Sequence, residues 1–298
     1  EMEKKVGIPL KDLVEPVKGR RVRYKDLASQ PRRIHTSPLW GSILSDPETG
    51  VLFTSPNLPG WRGVPLRDII EKRLGKKTFL INDANAAAIG ELCFGGARGA
   101  RNFLYITIST GIGGGVVIEG KIFTGAAGAA GEVGHMTIDE NGPLCNCGNK
   151  GCWEALASGT ALAGEARRRI QEGAGTSLLD HADGNIERVT AQVIQTAAEQ
   201  GDPLAKELIA QTSYYLGVGL ANLINLFNPE LIVIGGGLSN MGDTLLGPAY
   251  RMAEERAFKE AYQAVRFVRA ELGRNSGVLG AAAFALQEMK KTDRSAGK

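Results

Sequence analysis

Apolar positions in this chain follow two spacings, and each predicts a kind of element. In the second half, Leu204, Leu208, Ile209, Leu216, Leu220, Leu223, Ile224 and Phe227 recur at intervals that fill one face of a long helix. Asp202-Pro203 opens it, a capping side chain followed by proline at the first helical position, and Asn228-Pro229 stops it. Short unbroken apolar runs at 78–81, 103–108 and 231–234 predict buried strands, with further strands at 51–53 and 265–268. Residues 65–74 form a helix closed by Gly75, residues 86–92 a second one, and an Ala-rich helix begins at Ser276. A glycine loop at 109–115 leads into a strand at 116–118, and Glu119-Gly120-Lys121 turns the chain into 122–123. Residues 46–50 form a turn and 55–61 a rigid Pro-rich loop. Strands alternating with helices predict an α/β fold.

Composition bounds this picture without changing it. The 298 residues are 43% hydrophobic and 22% charged, values of an ordinary globular chain with room for two domains. No apolar run is long enough to span a bilayer, so no membrane partner is expected. The net charge of +3 hides an uneven distribution: residues 1–45 hold ten Lys or Arg against five acids, and the remainder is slightly acidic. A basic arm is a conceivable nucleic-acid contact. This one lacks a helix-turn-helix pattern and interleaved aromatics, so a solvated face is the better reading and nucleic acid is not expected as a partner.

Candidate chemistry concentrates between His135 and Glu154. Cys145, Cys147 and Cys152, three of the four cysteines, stand within eight residues in the pattern Cys-x-Cys-x4-Cys, ten residues after His135. One imidazole and three thiolates form the soft tetrahedral set that a structural Zn²⁺ prefers. Four protein ligands leave no open position for substrate, so the metal is expected to be structural. Disulfides suit small secreted domains; reduced thiols suited to a metal predict a cytoplasmic protein. Cys93 stands apart, in a helical stretch, as a small core residue. Two glycine runs, Thr110-Gly111-Ile112-Gly113-Gly114-Gly115 and Gly235-Gly236-Gly237, could bring backbone N–H groups close to phosphate or backbone close to a flat nucleoside. Neither is a Walker loop or a dinucleotide fingerprint, and each alone also reads as a tight turn.

The segments Asn82-Asp83-Ala84-Asn85, Thr110 to Gly115, Gly131-Glu132-Val133-Gly134-His135 and the cysteine cluster occur in the order and spacing of the ROK family. The chain resembles that family, which comprises sugar kinases, glucokinases among them, and sugar-responsive repressors, from about residue 46 to about 286. The resemblance implies the actin-like ATPase fold of hexokinases: two ribonuclease-H-like α/β domains flanking a cleft, with a structural zinc loop. The boundaries expected are 1–95 with 277–298 for the smaller domain, residues 1–45 being atypical, and 96–276 for the larger.

It also implies ATP-dependent phosphorylation of a hexose, with ATP-Mg²⁺ as cosubstrate. Glucose is favoured by the likeness of the 56–61 loop to glucokinase-type members; N-acetylmannosamine and N-acetylglucosamine are the alternatives, as is a sugar-binding remnant or regulator without kinase activity. Asp83 would be the catalytic base, at the end of an apolar run where a carboxylate is held rigidly; its bland alternative is a helix cap. Asn82, Glu132, His135 and Glu154 would bind the sugar, His135 serving zinc with one ring nitrogen and a sugar hydroxyl with the other. Thr110, Gly111, Gly113, Gly114, Gly235, Gly236 and Gly237 would face ATP, while His135, Cys145, Cys147 and Cys152 would hold zinc. A homo-oligomer, dimer or tetramer, is expected.

One departure stands out. Members of the family open with a strand-turn-strand carrying Asp-x-Gly-Gly-Thr, which meets the ATP phosphates. Gly-Gly-Thr occurs nowhere in this chain. Residues 1–45 are therefore expected not to derive from the family's first strands.

Overall fold

The computed structural model describes residues 44–45, 49–54 and 62–296. Nearly all of the basic arm, part of the 46–50 turn and the Pro-rich loop lie outside the described residues.

A five-stranded sheet organises the chain. Its strands are β4 (Phe103–Ile108), β5 (Ile112–Ile118), β6 (Lys121–Ile122), β7 (Leu231–Gly235) and β8 (Arg266–Arg269), in the order β6-β5-β4-β7-β8. The β4–β5 and β5–β6 pairs are antiparallel; β4–β7 and β7–β8 are parallel. Strand periodicity sorts the side chains into two cores. Leu104, Ile106, Ile108, Ile232 and Ile234 enter the larger one. Phe103, Tyr105, Leu231 and Val233 enter the smaller one on the opposite face. Both faces of β4 and β7 are covered, which is why these runs are unbroken apolar sequence rather than alternating.

The larger core is closed by the 25-residue helix α6 (Pro203–Phe227), whose Leu208, Leu216, Leu220 and Ile224 are buried as their spacing predicts. Asp202 caps it, accepting the Ala205 N–H at 2.8 Å. The smaller core is closed by α2 (Asp83–Phe94), through Ala87 and Ala88. α9 (Ser276–Ala296) returns from the far end of the chain to lie on α2. Small residues permit the approach: a Cβ on Gly280 would stand 1.6 Å from the Ala86 carbonyl oxygen. Before α2 the chain forms an antiparallel meander, β1 (Leu44–Ser45), β2 (Val51–Thr54) and β3 (Arg62–Pro65), then α1 (Leu66–Leu74). Gly75 ends α1 in the left-handed conformation (φ +60°), as expected of a glycine there.

Three expectations are corrected. Residues 78–81 are not a strand. Phe79 is half-buried and meets Phe284 of α9 edge-on at 6.5 Å, so the apolar run reports burial. A strand also needs a backbone ladder, and none pairs with it among the described residues. Second, β5 begins at Ile112, so Gly113, Gly114 and Gly115 are ladder residues opposite Thr107, Ile106 and Tyr105 rather than a loop. They are glycine because side chains would collide: a Cβ at Gly114 would lie 2.7 Å from Val133 Cγ2, and one at Gly115 2.7 Å from Ala88 Cβ. Third, Cys93 is half-buried, not a core residue.

Candidate functional site

The C-terminal ends of the parallel strands and the N-terminus of α2 open on one cavity of about 1130 Å³. Ligand sites in open α/β sheets form at such a place. Asn82, Asp83, Thr110, Gly111, Gly113, Gly114, Glu132, His135, Cys145, Cys147, Glu154, Gly235, Gly236 and Gly237 all line it. Of the candidate residues, Cys152 alone lies behind the wall, fully buried.

Asn82 and Asp83 divide two tasks. The Asn82 side chain caps α2, its Oδ1 accepting the Ala84 and Asn85 N–H groups at 2.9 and 3.1 Å. Asp83 is thus released from the capping role and faces the cavity, reachable by solvent through the mouth. Burial by the surrounding protein raises its carboxyl above the usual aspartate value, an effect partly offset by the Ala84 N–H. A carboxylate so raised is better matched to accepting a proton near neutrality. Glu132 is raised as well, first by burial; the nearby Asp83 and Glu154 carboxylates add to the rise, and His135 opposes it. Three acids therefore share one end of the cavity.

Glu154 is held by the turn that leads into β5. Its Oε2 accepts the Ile112 N–H at 2.9 Å, and a Cβ at Gly111 would sit 2.2 Å from that oxygen. Gly236, at φ +89°, passes so close to β4 that a Cβ would fall 2.3 Å from the Ile108 carbonyl. These glycines are demanded by packing, and the same packing keeps the cavity walls bare.

The cysteine cluster forms as expected. Ligand atoms of His135, Cys145, Cys147 and Cys152 lie within 4.8 Å of one another. The Cys145 Sγ to His135 Nδ1 and Cys147 Sγ to Cys152 Sγ distances are both 3.6 Å. A tetrahedron with Zn–S bonds of about 2.3 Å separates its sulfurs by roughly 3.8 Å, whereas a disulfide needs about 2.05 Å. The donor set and spacing fit one zinc ion and exclude a disulfide in this arrangement. Burial, followed by the neighbouring thiols, pushes Cys152 up to about 12, so a cation is what would let the three sulfurs ionise together. Nδ1 of His135 faces the cluster while Nε2 lies 4.0 Å from Glu132 Oε2 on the cavity side.

The knuckle is anchored by its own turns and by the core. Gly151, at φ +65°, leaves no room for a side chain, since a Cβ would lie 1.5 Å from the Asp139 carbonyl oxygen. Trp153 follows Cys152, is fully buried, and donates Nε1–H to the Tyr215 carbonyl of α6 at 2.9 Å. Cysteine cluster, cavity carboxylate Glu154 and main core are thus joined within three successive residues.

Pattern reading missed part of the cavity lining. Ser239, Asn240, Arg269 and Arg274 also line the cavity. Arg269 Nη2 donates to the Ser239 carbonyl at 2.7 Å, and Ser239 Oγ to the Gly236 carbonyl at 2.7 Å, which ties the glycine turn to β8. The available signal was Arg269 directly after the 265–268 strand run, followed five residues on by Arg274.

The fold and site define an α/β cleft protein of the actin-like ATPase type with a zinc-suited knuckle beside the cleft. Residues 36–288 match the ROK family, and the chain belongs to it. A glucokinase of Thermotoga maritima is 42% identical over 247 residues, covering 82% of this chain and 76% of that protein. The structure of a ROK family glucokinase from Streptomyces griseus, in complex with glucose and AMPPNP, superposes with a TM-score of 0.73 at 37% identity, over 82% of this chain and 79% of that one. A ROK family transcriptional regulator, a homologue of the E. coli MLC protein, gives 0.70 at 34% identity, and this chain spans 59% of its length. Residues 1–49 match a different family, the nitrate reductase alpha chain, domain V.

Proposed function

We propose that this chain is an ATP-dependent hexose kinase of glucokinase type, transferring the γ-phosphoryl group of ATP to glucose. The observation that carries this reading is the cavity itself: a carboxylate with a raised pKa at a capped helix end lines the same open cleft as two glycine-bared segments. Phosphoryl transfer to an alcohol requires positioning, a proton acceptor and compensation of phosphate charge. Asp83 accepts the proton of the attacking sugar hydroxyl. Asn82 keeps its amide N–H₂ for a neighbouring hydroxyl while its Oδ1 caps the helix. Glu132, His135 Nε2 and Glu154 orient the remaining hydroxyls of a neutral polyol. The 110–114 and 235–237 segments take the nucleotide, with Mg²⁺ as its counter-ion.

Zinc, bound by His135, Cys145, Cys147 and Cys152, holds the Glu132–His135 wall and the Glu154 helix in register. The domains divide at 95/96 and 276/277, the enzyme acts in the cytoplasm, and it assembles as a homo-oligomer. The match of residues 1–49 to a different family supports a separate origin for residues 1–35, whereas the ROK match begins at residue 36 and takes in the last ten residues of the segment expected to be foreign.

Comparing kcat/KM for glucose with those for the N-acetyl hexosamines in an ATP-coupled assay tests the substrate. A preference of more than tenfold for an N-acetyl sugar overturns the choice of glucose. One observation favours a second reading, a sugar-binding protein without phosphoryl transfer: the likeness to a ROK family transcriptional regulator is nearly as strong as that to the glucokinase. Sugar binding by calorimetry combined with no ATP turnover would establish that reading instead.

A further inference from the structure

Glu91 is the most deeply buried carboxylate among the described residues, fully enclosed on α2, and no step above uses it. Its oxygens have four hydrogen-bond donors within reach. The Gly96 and Glu271 N–H groups donate to Oε2 at 2.9 and 3.1 Å; the Leu272 N–H and Ser276 hydroxyl reach Oε1 at 3.0 and 2.9 Å. Three of the four come from one short segment 180 residues away, 271–276, which forms a lip of the cavity through Gly273, Arg274 and Ser276. A buried carboxylate is tolerated only when its lone pairs are satisfied. The lip can therefore leave α2 only by stranding that charge.

Two features of the lip point to a ligand. Arg274 is exposed on the cavity wall and has no hydrogen bond or ion pair among the described residues. The cavity also carries charge of both signs: the Asp83 and Glu154 carboxylates both raise Glu132, while Arg269 and Arg274 line the same cavity and are not among the groups that shift Asp83 or Glu132. Arg269 already spends one donor on the Ser239 carbonyl.

We infer that Arg274 is the cation that meets the polyphosphate of the nucleotide, and that Glu91 is the positioning residue that fixes its lip to the catalytic helix. Asp83 and Glu91 are eight residues apart on α2, about 12 Å along the axis at 1.5 Å per residue. One rigid rod thus sets the distance between the proton acceptor and the phosphate-bearing wall. This rests on the nucleotide reading of the cavity given above.

The test is calorimetric binding of a non-hydrolysable ATP analogue with Mg²⁺, and separately of glucose, to the full chain and its variants. Arg274→Gln should weaken the analogue roughly ten- to a hundredfold, the range of a charge-assisted hydrogen bond, with glucose affinity within twofold and melting temperature unchanged. Glu91→Gln keeps the volume but turns an amide N–H₂ toward backbone donors; it should weaken the analogue by a similar factor and glucose by less than twofold. In the double variant the losses should fall well short of multiplying, because both act through one lip. Should Glu91→Gln not fold, Ser276→Ala removes a single donor and should cost the analogue a few-fold. Unchanged analogue binding in Arg274→Gln overturns the inference, as does equal weakening of sugar and analogue, or fully multiplicative losses. Wild-type protein that binds glucose but no analogue instead refutes the nucleotide reading, and this inference with it.

Discussion

Replacing Asp83 by Asn separates chemistry from architecture at this site. The cap of α2 belongs to Asn82 Oδ1, so the variant keeps its helix start. It loses only the favourable meeting of a first-turn charge with the helix dipole, about 0.3–1 kcal/mol. Against that stands the burial that raises the Asp83 carboxyl. Because the folded state holds this proton more tightly than the unfolded chain does, ionising Asp83 works against folding. That stability is present below the ordinary aspartate value and is lost as pH rises through the raised one. Near neutrality Asp83→Asn should therefore melt at or slightly above the wild-type temperature.

Turnover should behave in the opposite way. An amide of the same shape still contacts a hydroxyl but takes no proton, and loss of a positioned general base removes about a hundred- to ten-thousandfold in rate, roughly 3–5 kcal/mol of barrier. Wild-type kcat should also fall on the acid side along a limb lying above the ordinary aspartate range, and the variant should lack that limb. Coupled phosphorylation measured across pH, calorimetry with glucose and a melting curve give the three readings. Turnover within a few-fold of wild type, or an acid limb that survives in the variant, would refute Asp83 as the base.

Three further outcomes follow from the packing and the cluster. Cys147→Ser, or removal of metal by chelation, should lower both melting temperature and glucose affinity, since a structural zinc contributes several kcal/mol to folding; metal analysis finding no zinc on the purified chain sinks that reading. Gly280→Ala drives a methyl toward the Ala86 carbonyl oxygen, 1.6 Å from its ideal position, and should destabilise by about 3 kcal/mol or more, a drop of roughly 6–12 °C by thermal denaturation; a shift under 1 °C shows that α9 moves freely on α2. Gly114→Ala should weaken binding of both glucose and an ATP analogue, because the new methyl would lie 2.7 and 2.9 Å from Val133 and the Gly131 carbonyl beside Glu132, on a segment that also takes the nucleotide; calorimetry unchanged for both would contradict that account.

Much of this protein was legible from one dimension. The i, i+4 spacing of Leu204, Leu208, Leu216 and Leu220 is a local consequence of burying one helix face, and α6 forms where it predicts. His135, Cys145, Cys147 and Cys152 were readable because close-spaced soft ligands have few other uses, and their atoms converge. Asp83 and Glu154 were found through the resemblance to a family rather than through periodicity. The three glycines at 113–115 were misplaced as a loop because glycine signals both freedom and close approach, and only the positions of Val133 and Ala88 show which applies. Residues 78–81 erred in the opposite direction: hydrophobicity records burial, while a strand depends on a partner's backbone. Glu91 reads in sequence as one more helix charge, and Arg274 as a loop cation. Their significance comes from a chain returning after 180 residues to place three donors on a buried carboxylate. Local patterns encode elements and clusters closed over a few residues; which distant segments share a wall is set by packing, where each group's energy depends on what lies against it.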